Sequence, residues 1–318
     1  MKTKQRKVGI VGCGKVGMSY AFSLMHSGVC DQLVLIDKDK RRVWAEAEDL
    51  RHGLCHLGRT TEVWAGDFCD LKDADILVIA AGVAQREGED RMALLQRNAA
   101  VFEEVVGNVK DSGFKGIYLI ATNPVDIMTR LCHDLSGADS RRVIGSGTIL
   151  DSARLRVILS RFFAVDPKNV HAYVLGEHGD SAFVPWSIAN ISNVPVCDYK
   201  DAIQNGGDYP DIDHEDVENY VRKSGATVIQ RKGATFYAVS MSVCHLCKCL
   251  LSGIDTTLTV STMLHGEYGI DDVCLSLLSI VGKHGATGKI LLPLNDEEVK
   301  ALHNSADCLK NIINNIEI

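Results

Sequence analysis

Two short stretches of the chain hold residues that could move a proton. Gly176-Glu177-His178-Gly179-Asp180 sets a histidine between two glycines, where backbone can come close to a ligand. Leu150-Asp151-Ser152-Ala153-Arg154 supplies a carboxylate and, three residues on, an arginine that shares its face if the segment is helical. A carboxylate bonded to an imidazole fixes its tautomer and steadies its protonated form. A guanidinium grips a carboxylate through two parallel hydrogen bonds. Base, orienter and anion clamp are the parts needed to move a proton on a small carboxylate substrate.

The elements that must position these groups are legible as alternating apolar runs. Val8 to Val11 reads as a buried strand, followed by Gly12-Cys13-Gly14-Lys15-Val16-Gly17 and a helical segment to about Ser27. Leu33 to Ile36 is a second strand that ends at Asp37, and Asp75 to Ala80 and Gly116 to Ala121 repeat the pattern. Helical segments such as Arg91 to Lys110 lie between. Strands alternating with helices predict a parallel sheet covered on both faces. After about Gly147 the rhythm changes. A helix over Asp151 to Phe163 leads to a strand over Asn169 to Val174, which feeds the histidine turn. The acidic stretch Asp208 to Asp216 reads as a solvated helix start, with carboxylates at the positive end, in preference to a calcium site. Leu294 to Ile312 reads as a closing amphipathic helix.

The glycines carry a dinucleotide signal. Gly12-x-Gly14-x-x-Gly17 follows a strand and opens a helix, and Asp37 lies 20 residues after the last glycine. The first glycine permits the tight turn, and the second lets a pyrophosphate approach helix N–H groups. Asp37 would accept from ribose hydroxyls and repel a 2′-phosphate, which favours NAD over NADP. The alternative is a structural glycine turn beside a surface Asp. The fold class is α/β: a Rossmann-type doubly wound parallel sheet over residues 1–146, followed by a mixed α/β substrate domain over 147–318.

Composition narrows the partners. The chain has 318 residues, 46% of them apolar, so it can bury a sizeable core. Its formal net charge of −7 and the lack of any basic block argue against a nucleic-acid or anionic-membrane binder. No signal peptide and no apolar run of membrane-spanning length are read. The 11 cysteines are odd in number and lie mostly in apolar patterns, which suits reduced thiols in the cytoplasm. Cys244, His245, Cys247 and Cys249 fall in a stretch that reads as a buried helix, and no second ligand pair at zinc spacing follows.

Four further stretches complete the pattern. Ala80 to Arg91 is polar, has glycines at 82 and 88, and would suit a mobile lid. Thr122-Asn123-Pro124-Val125-Asp126 ends a strand, Gly145-Ser146-Gly147-Thr148 precedes Asp151, and Lys232-Gly233-Ala234-Thr235 lies late in the chain. Through Gly12 to Gly17, Thr122 to Asp126, Gly145 to Arg154 and Gly176 to Asp180, the chain resembles the L-2-hydroxyacid dehydrogenases of the lactate/malate dehydrogenase family over nearly its whole length.

The resemblance implies a role for each matched residue. His178 would give and take the proton, with Asp151 as its partner. Arg154 would clamp the substrate carboxylate, and Arg91 would polarise the reacting carbonyl when the lid closes. Asn123 and Thr235 would line the substrate pocket. Gly12, Gly14, Val16, Gly17, Asp37, Gly82, Val83, Thr122, Asn123 and Ser146 would contact the cofactor. The reaction implied is NAD-dependent interconversion of a 2-keto acid and an L-2-hydroxy acid, by a cytoplasmic homotetramer.

Gln85, six residues before Arg91, matches the family's specificity position. The malate branch carries arginine there for a second carboxylate, whereas glutamine fits the methyl group of pyruvate and points to the lactate branch. Arg86 would face solvent as Gln85's neighbour on an extended loop. Malate or a branched-chain 2-hydroxy acid is the alternative substrate, and a non-catalytic NAD-binding regulator is the alternative of a different class. Arg156 and His171 match residues with which bacterial members bind fructose 1,6-bisphosphate between subunits, so the resemblance also implies activation by that sugar. An unrelated surface arginine and histidine is the plainer account of that pair.

Overall fold

A computed structural model describes residues 5–83, 91–203, 209 and 211–315, with the side chain of Arg91 left out. Six short strands run parallel through the first half: β1 (Lys7–Val11), β2 (Gln32–Ile36), β3 (Glu62–Ala65), β4 (Ile76–Ile79), β5 (Ile117–Ile120) and β6 (Val143–Gly145). Between them lie α1 (Lys15–Ser27), α2 (Lys40–His52), α3 (Arg91–Asp111) and α4 (Val125–Ser136). Their spatial order is β3-β2-β1-β4-β5-β6, so the chain reverses direction across the sheet between β1 and β4. That reversal opens a crevice at the carboxyl ends of the strands.

β1, β2, β4 and β5 are almost wholly buried on both faces, and their side chains sort with period two. Ile76 and Val78 join Tyr20 and Leu24 of α1 in one core. Leu77 and Ile79 join Phe102, Val106 and Val109 of α3 in another. Each fully buried aliphatic side chain contributes about 2 kcal/mol. A strand dressed on both sides reads as an unbroken apolar run, which is why β1, β2, β4 and β5 were visible in the sequence, while the half-exposed edge strand β3 and the three-residue β6 were not.

The second half begins with α5 (Ile149–Phe162), then β7 (Val170–His171), β8 (Asn190–Ile191), β9 (Val194–Pro195), α6 (Val196–Ala202), α7 (His214–Lys232) and α8 (Tyr237–Leu251). Two long strands, β10 (Thr256–Glu267) and β11 (Ile270–Gly282), form an antiparallel hairpin, followed by β12 (Gly285–Lys289) and α9 (Asp296–Ile313). The hairpin was not foreseen. It extends the first sheet instead of building a separate one: Ser261 of β10 pairs with Gly145 of β6, giving nine strands in one sheet.

The strand expected over Asn169 to Val174 is corrected to Val170–His171. Beyond it, side chains take over the backbone: Thr148 Oγ1 donates to the Val174 carbonyl at 2.5 Å, and the Val174 N–H donates to Ser152 Oγ at 2.9 Å. Asp213 caps α7, accepting from the N–H groups of Glu215 and Asp216, as the acidic stretch suggested for a helix start. Cys244 and Cys247 lie buried in α8 within the same core as Tyr20 and Cys30. Among the described residues no group of three or more His, Cys, Asp or Glu could hold a metal ion. None of their helices is long and apolar enough to cross a membrane.

Candidate active site

The glycine turn after β1 is built for close approach. Gly12 has φ +97°, and a Cβ there would lie 2.4 Å from the Ala81 nitrogen. A Cβ on Gly17 would lie 2.0 Å from the Gly12 carbonyl oxygen, so the helix packs on the turn only through glycine. A Cβ on Gly14 would meet open space, and α1 starts there with no side-chain cap. Helix N–H groups are therefore open to an anion beside Gly14.

Asp37 accepts the Cys13 N–H at 2.8 Å and pairs with Arg42 at 2.8 Å. Gly12, Gly14, Asp37, Gly82 and Val83 line a cleft of about 470 Å³, walled by Val101 and Val105 of α3. Thr122 is not part of its lining. Its hydroxyl donates to the carbonyls of Ala81, at 2.7 Å, and Ile79, at 3.2 Å, tying the end of β5 to the segment after β4. Asn98 Oδ1 accepts the Val83 N–H at 2.8 Å and holds the same segment from α3.

A second cavity, of about 270 Å³, brings together Val16, Asn123, Ser146, Asp151, Arg154, His178 and Thr235. Asp151 and Arg154 share one face at the start of α5, as the helical reading required. Arg154 Nη1 donates to Asp151 Oδ1 at 2.6 Å. The other carboxylate oxygen of Asp151 lies 2.5 Å from His178 Nδ1. The loop that carries His178 is fixed from behind, since Gly176 bridges to Ser276 of β11 and the Glu177 N–H donates to Ser305 Oγ of α9 at 2.7 Å.

Electrostatics couple these groups. Burial alone would lower the pKa of His178, but the charge and hydrogen bond of Asp151 outweigh it and raise the imidazole above 6.5. Burial alone would raise Asp151; His178 and Arg154 outweigh it and hold the carboxyl below 3.8. An imidazole bonded to a carboxylate through Nδ1 carries its permanent proton there, and Nε2 becomes the nitrogen that gains and loses one.

Asp126 is the residue that sequence reasoning missed. It lies 2% exposed in the first turn of α4, and its Oδ2 accepts the His178 N–H at 2.7 Å. Burial pushes its carboxyl up to about 6, against the hydroxyl of Ser261 and the N–H and charge of His178. The signal was its place in Thr122 to Asp126, but an Asp in a first helical turn reads as a plain dipole partner. The wall contributed by α7 was missed too: Val221, Gly225 and Ile229 line the cavity, with Gly225 packed on Arg154 Nη2.

Other expected residues stand apart. Arg156 gives two N–H donors to the Pro167 carbonyl, at 2.9 and 3.1 Å, while His171 is exposed on β7. Neither lines the two cavities. Arg91 opens α3 at the end of the 80–91 stretch, and residues 84–90 of that stretch, Gln85 among them, lie outside the described residues.

The family profile for the lactate/malate dehydrogenase NAD-binding domain matches residues 6–145, and that for the lactate/malate dehydrogenase alpha/beta C-terminal domain matches 148–317. The chain is 42% identical over 315 residues to an L-lactate dehydrogenase of Oceanobacillus iheyensis, covering 98% of this chain and 97% of that one. It is 44% identical over 309 residues to an L-lactate dehydrogenase of Shouchella clausii, covering 97% and 94%. A crystal structure of a lactate dehydrogenase from a Medee basin deep-sea metagenome library superposes with a TM-score of 0.93 at 41% identity, covering 98% and 99% of the two chains.

Proposed function

Because the chain belongs to the lactate/malate dehydrogenase family of NAD-dependent oxidoreductases, we propose that it interconverts pyruvate and L-lactate, with His178 as proton donor and acceptor. The observation that carries this reading is the cluster of His178, Asp151 and Arg154 on one small cavity beside the Gly14 turn. Open helix N–H groups, an acid at the end of β2 and a long cleft between them fit the pyrophosphate and ribose of NAD. Bound there, NAD supplies the hydride chemistry at C2 of the substrate.

The protein's own part is placement and charge. Arg154 keeps N–H donors beyond the one spent on Asp151, and these receive the substrate carboxylate. His178, protonated and steadied by Asp151, gives its proton to the keto oxygen during reduction and takes it back during oxidation. Arg91 polarises that oxygen from the start of α3, and Asn123 and Thr235 bound the pocket. Val16 and Ser146 line its cofactor side, and Thr122 acts by holding the 81–83 segment. Gln85 selects the methyl group of pyruvate over the carboxylate of oxaloacetate. We assign cofactor binding to residues 1–146 and substrate binding to 147–318. The enzyme works in the cytoplasm as a homotetramer, with Arg156 and His171 receiving fructose 1,6-bisphosphate as activator.

The deciding experiment compares kcat/KM for pyruvate and oxaloacetate with NADH. Pyruvate is preferred on this reading, and a clear preference for oxaloacetate would sink it.

A further inference from the structure

A larger cavity lies at the opposite edge of the sheet. Its volume is about 710 Å³, and it opens beside Arg6, Asp75, Gly116 and Arg142, which stand at the amino ends of β1, β4, β5 and β6. The carboxyl ends of the same strands lead to the catalytic cleft. A strand of four or five residues, at roughly 3.3 Å per residue, puts about 15 Å of sheet between the two.

Cations from four separate segments converge on this cavity. Lys72 lies ahead of β4, Lys115 ahead of β5, Arg142 just ahead of β6, and Lys283 in the turn between β11 and β12. Among the described residues none of the four forms a salt bridge with a carboxylate. The acids nearby are already engaged: Asp139 by Arg141 at 2.6 Å, and Asp73 by Lys7 at 2.7 Å. Asp75 accepts the Lys7 N–H at 3.0 Å. Arg142 is held in place by one N–H on the Lys115 carbonyl, at 2.5 Å, which leaves the rest of its fork for another acceptor. Ile76, Ile117 and Leu251 supply an apolar wall.

We propose that this cavity binds an organic polyphosphate, held by Lys72, Lys115, Arg142 and Lys283. Four cations with no carboxylate partner among the described residues, gathered in one hollow of a chain with net charge −7, repel one another, and a multiply charged anion relieves that repulsion. A single carboxylate would neutralise only one of them. Lysines meet phosphate as point charges, and the arginine fork adds paired hydrogen bonds. The volume suits a small-molecule ligand, and the apolar wall gives its organic body a surface to rest on.

Isothermal titration of ATP into the NADH-saturated protein tests this, because NADH fills the catalytic cleft. ATP binds with about one site per chain, and its Kd rises steeply with salt. The double variant Lys115→Gln/Lys283→Gln weakens ATP about tenfold or more, at 1.4 kcal/mol per tenfold, and leaves NADH affinity unchanged. Arg156→Gln leaves ATP binding unchanged. Absence of binding in the unaltered protein, full binding in the double variant, or loss in Arg156→Gln alone would each overturn the assignment.

Discussion

Asp126 accepts the main-chain N–H of His178 at 2.7 Å, so this histidine is held by two carboxylates, one on its backbone and one on its ring. The charge of Asp126 also raises the pKa of His178. Asp126→Asn therefore moves the high-pH limb of kcat/KM for pyruvate to lower pH. The carboxyl itself, raised from 3.8 to about 6, loses stability for the fold as pH climbs through that window, because its charged form is disfavoured inside. The variant's Tm should gain on the unaltered protein between pH 4 and pH 6 or so. An unmoved limb would refute this role.

Asp151→Asn removes the group that keeps His178 protonated above 6.5. On the proposed mechanism pyruvate reduction draws on that proton, so its rate is expected to fall as pH rises through the raised value, and the variant's limb to fall earlier. kcat drops by about 10²-fold or more. Linkage gives a second reading. The raised His178 stabilises the fold below 6.5 and loses that effect as pH rises through its folded value; the lowered Asp151 stabilises above 3.8 and loses it as pH falls. The Tm deficit of the variant is thus greatest between pH 3.8 and 6.5, and a deficit independent of pH would contradict the pairing.

Arg154→Lys keeps the charge and loses the fork. The KM for pyruvate rises and kcat/KM falls by roughly 10²-fold, while the Kd of NADH stays put. Steady-state kinetics beside a fluorescence titration of NADH separates the two. Equal loss in both would mean that the cavity had collapsed.

Gln85→Arg supplies a cation for a second carboxylate. Its oxaloacetate kcat/KM increases and its pyruvate value decreases, so the ratio of the two moves by about tenfold or more. A ratio that stays fixed would remove Gln85 from specificity.

On the proposed regulation, fructose 1,6-bisphosphate is expected to lower the KM for pyruvate at slightly acid pH or to promote tetramer assembly, and Arg156→Gln to abolish the response. A phosphate there must compete with the Pro167 carbonyl, which now takes two Arg156 donors. Kinetics and sedimentation that both ignore the sugar would rule it out.

Four of the six parallel strands, β1, β2, β4 and β5, were legible because they are buried on both faces, as at Val8 to Val11; β3 at the sheet edge carries the exposed Glu62, and β6 is three residues long. The face shared by Asp151 and Arg154 followed from helical spacing. The β10–β11 hairpin was not legible, since serine and threonine interrupt its apolar residues and its partner strand, β6, lies more than a hundred residues away. Asp126 escaped for a related reason: its bond to His178 joins positions 52 apart, and nothing local marks that contact. The strand after Asn169 was read too long because Thr148 and Ser152 capture backbone groups that a ladder would otherwise use.

The pairing of Ser261 with Gly145 carries a consequence for how the molecule comes apart. Residues on both sides of position 147 share one hydrogen-bonded sheet, so separating the chain between 146 and 147 would leave β6 paired only with β5 and put a bare edge on each fragment. Fragments made separately are expected to aggregate through those edges until they find each other, which light scattering of each piece alone and of the mixture would read.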